Sequence, residues 1–527
     1  MNTIFEKLKE PSIYGSNVTS IDIIETHISF VILTGRFVYK IKKPVDFGFL
    51  DFSTLEKRKY YCEEEIRLNK RLCPDLYLGV VSITEDEKGR LSINGKGRVV
   101  EYAVKMKQFP QEAIMTNLLK QDKIRRNDIE KICDILVEFY RKDKPSKDHE
   151  KYGRIDSIEH SIIENFEQTK NVIGITISEN RYNSIKIAAL NFLVKQRKLF
   201  EKRKEFIHEC HGDLHSGNII LYNDEICIFD CIEFNKHFRF IDTASDIGFL
   251  AMDLDFLNHM FLSSYLILSY IEKSEDNSIL EVLNFYKSYR AYVRGKVLGF
   301  RLSENLEREE REDIIKTASK YFRLSSYYAS LLSLDLNGHP PIVFLVSGLT
   351  GTGKSTLAMK LAVDYHADIL NTDIIRKEIE GIDKFEKHLD KPNTGLYAPD
   401  KIDQTYQEMF KRLEEKLKLN KNIILDATFQ KKKYRDKVRE IVDRYNAIYI
   451  AIRCTAPDDI VKKWLEERLR EKTVSDGRWE IYKVQKKTFE DFKEDEEHIV
   501  VDMSEEDYNE RMNYLNKILS KILKESI

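Results

Sequence analysis

Two stretches of this chain concentrate polar residues in patterns that suit phosphoryl transfer. The first is HECHGDLHSGNIIL, residues 208–221, which sets Asp213 and Asn218 at D-x-x-x-x-N spacing between short apolar runs. In such a loop the aspartate accepts or orients a hydroxyl, and the amide oxygen serves a magnesium ion close by. Ser, Asn, Asp and Gly also build plain turns, so the loop needs support from elsewhere. That support comes in IFDCIEF (228–234), where Asp230 ends a β-type run. It offers a second oxygen ligand, as hard Mg²⁺ requires. A strand lysine paired with a helix glutamate would complete the site. FVYKIK (37–42) places Lys40 and Lys42 on one face by alternation, and Lys40 is favoured for the α- and β-phosphates. Glu65 falls on the core-facing side of the next helix, beside Leu68 and Leu72, whereas Glu63 and Glu64 read as solvated. No G-x-G-x-x-G precedes the lysine strand, which argues against an ordinary protein kinase.

The second stretch is GLTGTGKS, residues 348–355, which matches G-x-x-x-x-G-K-[ST] at every fixed position. It lies between the apolar strand IVFLVS and the helical TLAMKLAV. Gly348, Gly351, Thr352, Gly353 and Thr356 are expected to turn backbone N–H groups toward phosphate oxygens. Lys354 would neutralise the β- and γ-phosphates, and Ser355 would coordinate Mg²⁺. Asp373 and Arg376 in ILNTDIIRKEI, and Asp426 in ILDATF, follow strands, where open α/β sheets build their sites. Asp373 would activate an acceptor hydroxyl, Arg376 would steady a substrate phosphate, and Asp426 would hold the Mg²⁺ water shell. Structural capping is the rival reading for each. WLEERLREKTVSD (464–476) reads as a lid bringing Arg468 or Arg470 onto the transferred group, or as an exposed charged helix. KKKYR (431–435) reads as a solvated helix start.

These residues need a scaffold, and the pattern supplies one. Residues 19–42 read as a β-hairpin turning at Thr34-Gly35-Arg36, followed by a helix from Ser53 to about Leu72. A strand pair is expected around 77–105, turning at GKGR (95–98), then helices to about 206 and again over 242–334. LNGHPP (336–341) breaks the helical pattern, after which strands such as IVFLVSG, NIILDAT and AIYIAIRC alternate with helices, arguing for a parallel sheet. Length alone suggests roughly three or four compact units.

HGDLHSGNIIL, FDCIEFN and FIDTASDIGFLAMDLDF together resemble the aminoglycoside phosphotransferase-like kinases, in particular a bacterial branch with an appended P-loop domain. ETHISFVILTGRFVYKIKKPVDFGFLDFSTLEKR and LCPDLYLGVVSI extend the resemblance over most of the chain. It implies an α+β bilobal protein-kinase-like domain over 1–335, with an N-lobe to about 108 and a helical C-lobe beyond. A linker at 336–341 and an α/β P-loop NTPase domain over 342–527 follow. It also implies Asp213 as catalytic base, Asn218 and Asp230 as metal ligands, and Met106 to Phe109 near the adenine. Asp242 and Asp246 would brace the catalytic loop, with helix capping as the alternative, and His215 would organise it. The back half resembles gluconate-kinase-like, polynucleotide 5′-kinase-like and zeta-toxin-like P-loop kinases.

Composition narrows the partners. Basic and acidic side chains nearly cancel at 86 and 88, a net charge of -2, so nothing calls for nucleic acid as a partner, although a polynucleotide end stays open. The start MNTIFEKLKE carries no apolar signal core, and no run approaches the ~18 residues of a membrane span. The seven cysteines lack CxxC spacing, so neither a disulfide nor a zinc site is expected, and a cytoplasmic setting fits. Lys287, Arg290 and Arg294 share one helix face, read as solvated or as a receiver for an acidic substrate. The expected activity is a bifunctional ATP- and Mg²⁺-dependent phosphotransferase acting on hydroxyls of small molecules at two sites. A nucleotide-sensing regulator and a toxin-like nucleotide-sugar kinase are the alternatives.

Overall fold

The computed structural model describes residues 2–337, 339–388, 394–468, 474–504, 514–519 and 521–523. Its contacts divide the chain into two compact units rather than three or four. A front unit comprises 1–164, 196–253 and 269–275, and a back unit comprises 165–195, 254–268 and 276–527. The helices Ile279–Phe300 and Arg308–Asn337 thus cluster with the P-loop sheet, and the Pro-Gly break at 336–341 falls inside the back unit.

The front unit opens with a six-stranded antiparallel sheet: β1 (Asp22–Glu25), β2 (Ser29–Leu33), β3 (Phe37–Lys42), β4 (Tyr77–Glu85), β5 (Leu91–Ile93) and β6 (Arg98–Lys107), in order β1-β2-β3-β6-β4-β5. The run expected as one first strand is two, because Thr26 accepts from Ser29 N–H at 2.9 Å and folds a turn. β3 and β6 are central and buried on both faces: Tyr39, Ile41 and Ala103 lie in one apolar cluster, Val38 and Val104 in another. The helix Leu55–Asn69 starts at Thr54, whose hydroxyl accepts from Lys57 N–H, and buries Cys62, Glu65 and Leu68. Beyond the sheet the unit is helical, interrupted by short pairs. β7 (Ile207–Glu209) pairs with β10 (Phe240–Asp242), and β8 (Ile219–Tyr222) pairs with β9 (Glu225–Ile228). The expectation of no disulfide is corrected here: Cys73 and Cys227, with Cα atoms 5.1 Å apart, are bonded. Their separation of 154 residues leaves no spacing signal for sequence reading to detect.

The back unit holds five parallel strands: β11 (Ile342–Ser347), β12 (Asp368–Asn371), β13 (Ile423–Asp426), β14 (Ile448–Thr455) and β15 (Ile499–Asp502), in order β12-β13-β11-β14-β15. β11 is buried along its whole length, as expected for a central parallel strand covered on both faces. The cationic helix face is corrected: Lys287 is fully buried against Asp255 (2.6 Å), and Arg290 is buried too. Tyr328 also donates to Asp255, while Lys360 and Asp364 pair on the P-loop helix. Arg435 of the basic run is likewise buried, bound to Glu496 at 2.7 Å, whereas Lys433 stays at the surface. Among the described residues no helix is long and apolar enough to cross a membrane.

Candidate active sites

A hairpin gathers the front site. β8 and β9 pair Ile219 with Ile228, and Phe229 N–H donates to the Asn218 carbonyl at 3.0 Å. Asn218, just before β8, and Asp230, just after β9, therefore leave the same open end of the hairpin. His211 ties in the preceding loop: its carbonyl accepts from Ile232 N–H (3.1 Å), and its Nε2 meets the Phe229 carbonyl at 2.8 Å. Asn218 Nδ2 donates to the Asp213 carbonyl (3.0 Å) and toward its carboxylate (3.3 Å). An amide engaged through nitrogen keeps Oδ1 as an acceptor for a cation. Asp230 sits at φ +66°, a left-handed backbone that a non-glycine residue rarely holds without reason.

Charge organises the facing wall. Lys40 Nζ lies 2.5 Å from Asp230 and 3.0 Å from Glu65 Oε1. Lys42 Nζ bonds Glu65 Oε2 at 2.7 Å and also bonds Glu233. The Lys42 and Glu65 side chains are 0% exposed, Lys40 14% and Asp230 43%, so Lys40 and Asp230 reach the opening while the other pair is sealed. Burial alone would lower the Lys40 pKa, yet Asp230 and Glu65 raise it well above the ordinary lysine range. Burial works against Glu65 ionising too, but Lys40 and Lys42 hold its pKa well below the usual carboxylate range.

The loop is braced from behind. Asp246 accepts from His211 N–H (2.7 Å) and Gly212 N–H (2.9 Å). Asp242 accepts from Ala244 N–H (2.8 Å), as a helix cap does, and pairs with buried Arg203 at 2.7 Å. His215 Nδ1 accepts from Gly217 N–H, and its Nε2 lies 3.4 Å from Asp213. Sequence reading missed Asp253, which accepts from both Ser216 N–H (2.9 Å) and its hydroxyl (2.6 Å), although FLAMDLDF already carried it. It also missed the role of Glu233, three residues after Asp230. Met106 is buried in an apolar cluster with Val38, Val104 and Ile220, and Phe109 packs edge-on against Phe229 at 5.5 Å.

In the back unit the carboxyl ends of β11, β12 and β13 converge. Asn371 and Val346 both stand opposite Asp426. Gly353 caps the helix Lys354–Tyr365 at φ +83°, and a Cβ there would lie 2.9 Å from Met503. Lys354 Nζ folds onto the Leu349 carbonyl at 2.8 Å, and Thr350 N–H donates to Gln485 at 2.8 Å, a partner sequence reading missed. Asp426 takes Asn371 Nδ2 at 2.7 Å and the Ser355 hydroxyl; burial raises its pKa against the pull of Lys354. Asp373 pairs with Arg376 at 2.8 Å, and Arg376 lies 4.7 Å over the Tyr397 ring. Burial opposes the Asp373 charge, but Arg376 holds its pKa below the ordinary range. Arg468 binds the Gly477 carbonyl at 2.8 Å and approaches Thr350 at 3.5 Å, beside the P-loop. Arg470 lies outside the described residues.

Both sites present oxygen donors suited to a hard divalent cation. At the front, Lys40 and Lys42 face three carboxylates, Glu65, Glu233 and Asp230, leaving a surplus of negative charge. At the back, Ser355 and Asp426 adjoin Lys354.

An uncharacterized protein of Mycobacterium tuberculosis (strain H37Rv) is 27% identical over 443 residues, covering 84% of this chain and 85% of its own. A choline kinase from Cryptosporidium parvum, 11% identical, covers 63% of this chain and 96% of its own with a TM-score of 0.40. A gluconokinase from Sinorhizobium meliloti, 18% identical, covers 34% and 96% with a TM-score of 0.25. The segment 343–492, from the P-loop strand through Asp373, Asp426 and Arg468, matches the model of the AAA domain family.

Proposed function

We propose that this chain is an ATP-dependent phosphotransferase with two catalytic modules, one built in the front unit and one in the back unit, each directing phosphoryl transfer to a hydroxyl of a small molecule. The observation that carries the reading is the convergence of Asp213, Asn218 and Asp230 at one hairpin mouth, with Lys40 paired to Asp230. In the front module Asp213 takes the acceptor proton and aims its oxygen, since such transfer rests chiefly on positioning and electrostatics. Lys40 exchanges its carboxylate partner for phosphate oxygens, and Met106 and Phe109 bound the apolar end of the cleft. Asn218 and Asp230 would hold Mg²⁺. In the back module the amides of 348–356 and Lys354 grip phosphates, Ser355 and Asp426 would hold the cation, and Asp373 receives the acceptor proton beside Arg376. Bound Mg²⁺ neutralises charge on the triphosphate at either site.

Labelled ATP, Mg²⁺ and a metabolite extract, incubated with the parent and with Asp213→Ala and Lys354→Ala variants, test this. Each variant is expected to lose a different labelled product. Variants that label products like the parent would sink the two-module reading; tight ATP binding without transfer by the parent would favour a sensor.

A further inference from the structure

Glu233 lies three residues beyond Asp230 and is only 5% exposed. Its carboxylate is spent on Lys42, whose ammonium is fully buried and also bonds Glu65 Oε2. Lys42 further sits 4.9 Å over the Phe52 ring, which closes the pocket around the pair. Glu65 therefore receives one lysine on each oxygen, Lys42 from the sealed side and Lys40 from the cleft side.

The backbone around Glu233 is strapped at each step. Asp230 N–H donates to the Tyr77 hydroxyl (3.1 Å), Cys231 N–H to Asn69 Oδ1 (2.9 Å), and Arg239 to the Glu233 carbonyl (3.2 Å). Asn69 belongs to the same helix as Glu65 and donates to the Glu65 carbonyl at 2.9 Å. A left-handed aspartate persists only where its surroundings over-determine it, and these straps do so.

We propose that Glu233 is a positioning residue of the front site. Through Lys42 it fixes Glu65 and the Asp230 segment together, leaving Lys40 to serve the nucleotide. The inference rests on the front-site reading above and divides two adjacent lysines into a working one and an anchoring one. Without Glu233, Lys42 would be held by Glu65 alone, and Glu65 would share its charge between two competing lysines. The helix Leu55–Asn69 would then keep its Asn69–Cys231 bond to the residues after β9 but lose the tie that runs through Lys42.

The test uses the full chain carrying Lys354→Ala, so that ATP with Mg²⁺ reports the front site alone. Calorimetric ATP affinity and amide exchange over residues 55–69 are read together. Lys40→Met should weaken ATP by at least about tenfold while leaving exchange over 55–69 unchanged. Glu233→Gln should weaken ATP by about tenfold and raise that exchange. The paired variant Lys42→Met with Glu233→Leu removes both buried charges and should fold, since apolar replacement of a buried pair is tolerated. Its ATP affinity should stay reduced, because Glu65 has lost its anchor. Parental affinity in Glu233→Gln, or full recovery in the paired variant, overturns the positioning role. Failure of the Lys354→Ala protein itself to bind ATP overturns instead the reading of the front site as a nucleotide site.

Discussion

The two units hold their candidate phosphate sites by different physics. In the front unit the grip is made of side chains drawn from distant segments: Lys40 meets Asp230 across 190 residues, and Lys42 meets Glu233 across 191. In the back unit the proposed grip is made of backbone amides from a single turn, with Lys354 the adjacent cation. A side-chain grip depends on every partner staying paired, whereas a backbone grip depends on conformation. Charge substitutions should therefore injure the front more, and glycine substitutions the back.

The largest expected effect is at Asp213. Removing a positioned general base typically costs about 10²- to 10⁴-fold in rate, so Asp213→Ala should lower front-site transfer by that much. Back-site ATP turnover should be unchanged, as measured by resolving the labelled products. Equal loss of both products would break the comparison by making the two sites one.

The back unit also contains a buried charge cluster outside its site, which sharpens the contrast. Asp255 accepts from Lys287 and Tyr328, and Lys360 and Asp364 pair beside it with Tyr327 bound to Asp364. Burial holds the Lys287 pKa below its ordinary value despite Asp255. Lys287→Met leaves Asp255 with Tyr328 and the more distant Lys360 (3.7 Å), and should destabilise the back unit by roughly 3 kcal/mol. The readout is amide exchange of the helix Lys354–Tyr365 and of the central strand β11. If that exchange stays parental, the cluster contributes nothing to seating the P-loop helix.

A smaller effect is expected at Gly353. Alanine there forces a side chain into left-handed backbone, costing about 1–2 kcal/mol, and sets a Cβ 2.9 Å from Met503. Gly353→Ala should weaken back-site nucleotide binding by roughly tenfold with little loss of fold. In the front unit Gly35 sits in the turn before the lysine strand with open space around it, so Gly35→Ala should change front-site nucleotide affinity less than Gly353→Ala changes that of the back.

The same contrast explains what was legible in the residues alone. The P-loop announces itself because its chemistry is contiguous, and Asp373 and Asp426 follow because parallel strands end where sites form. Asp213, Asn218 and Asp230 are legible because one hairpin spans them. Glu233, Asp253 and Gln485 were hidden because their partners come from other elements and their own neighbourhoods look generic. The Cys73–Cys227 bond and the burial of Lys287 and Arg435 were hidden for the same reason: a charge or thiol shows its type in sequence but not its partner. The break at Thr26 was missed because SIDIIETHISFVIL alternates almost continuously through the turn.

The smallest prediction concerns acid and the front unit. Asp143 accepts from Glu209 N–H (2.9 Å) and lies 2.7 Å from His149 Nε2 and 3.2 Å from His208 Nδ1. Burial pushes its pKa up, but His208, His149 and the Glu209 amide pull it down to about 2, from an ordinary 3.8. A depressed carboxyl stabilises the fold above its unfolded pKa and loses that contribution as pH falls toward the folded value. The contribution is thus complete above about pH 4 and fades toward pH 2, on the order of 1 kcal/mol after solvent screening. Asp143→Asn should lower the urea midpoint of the front unit at pH 7, and the gap from the parent should close near pH 2. A gap that persists unchanged at pH 2 would show that Asp143 acts by shape and hydrogen bonding rather than by charge. The front unit would then be less dependent on ionised side chains than its candidate site implies.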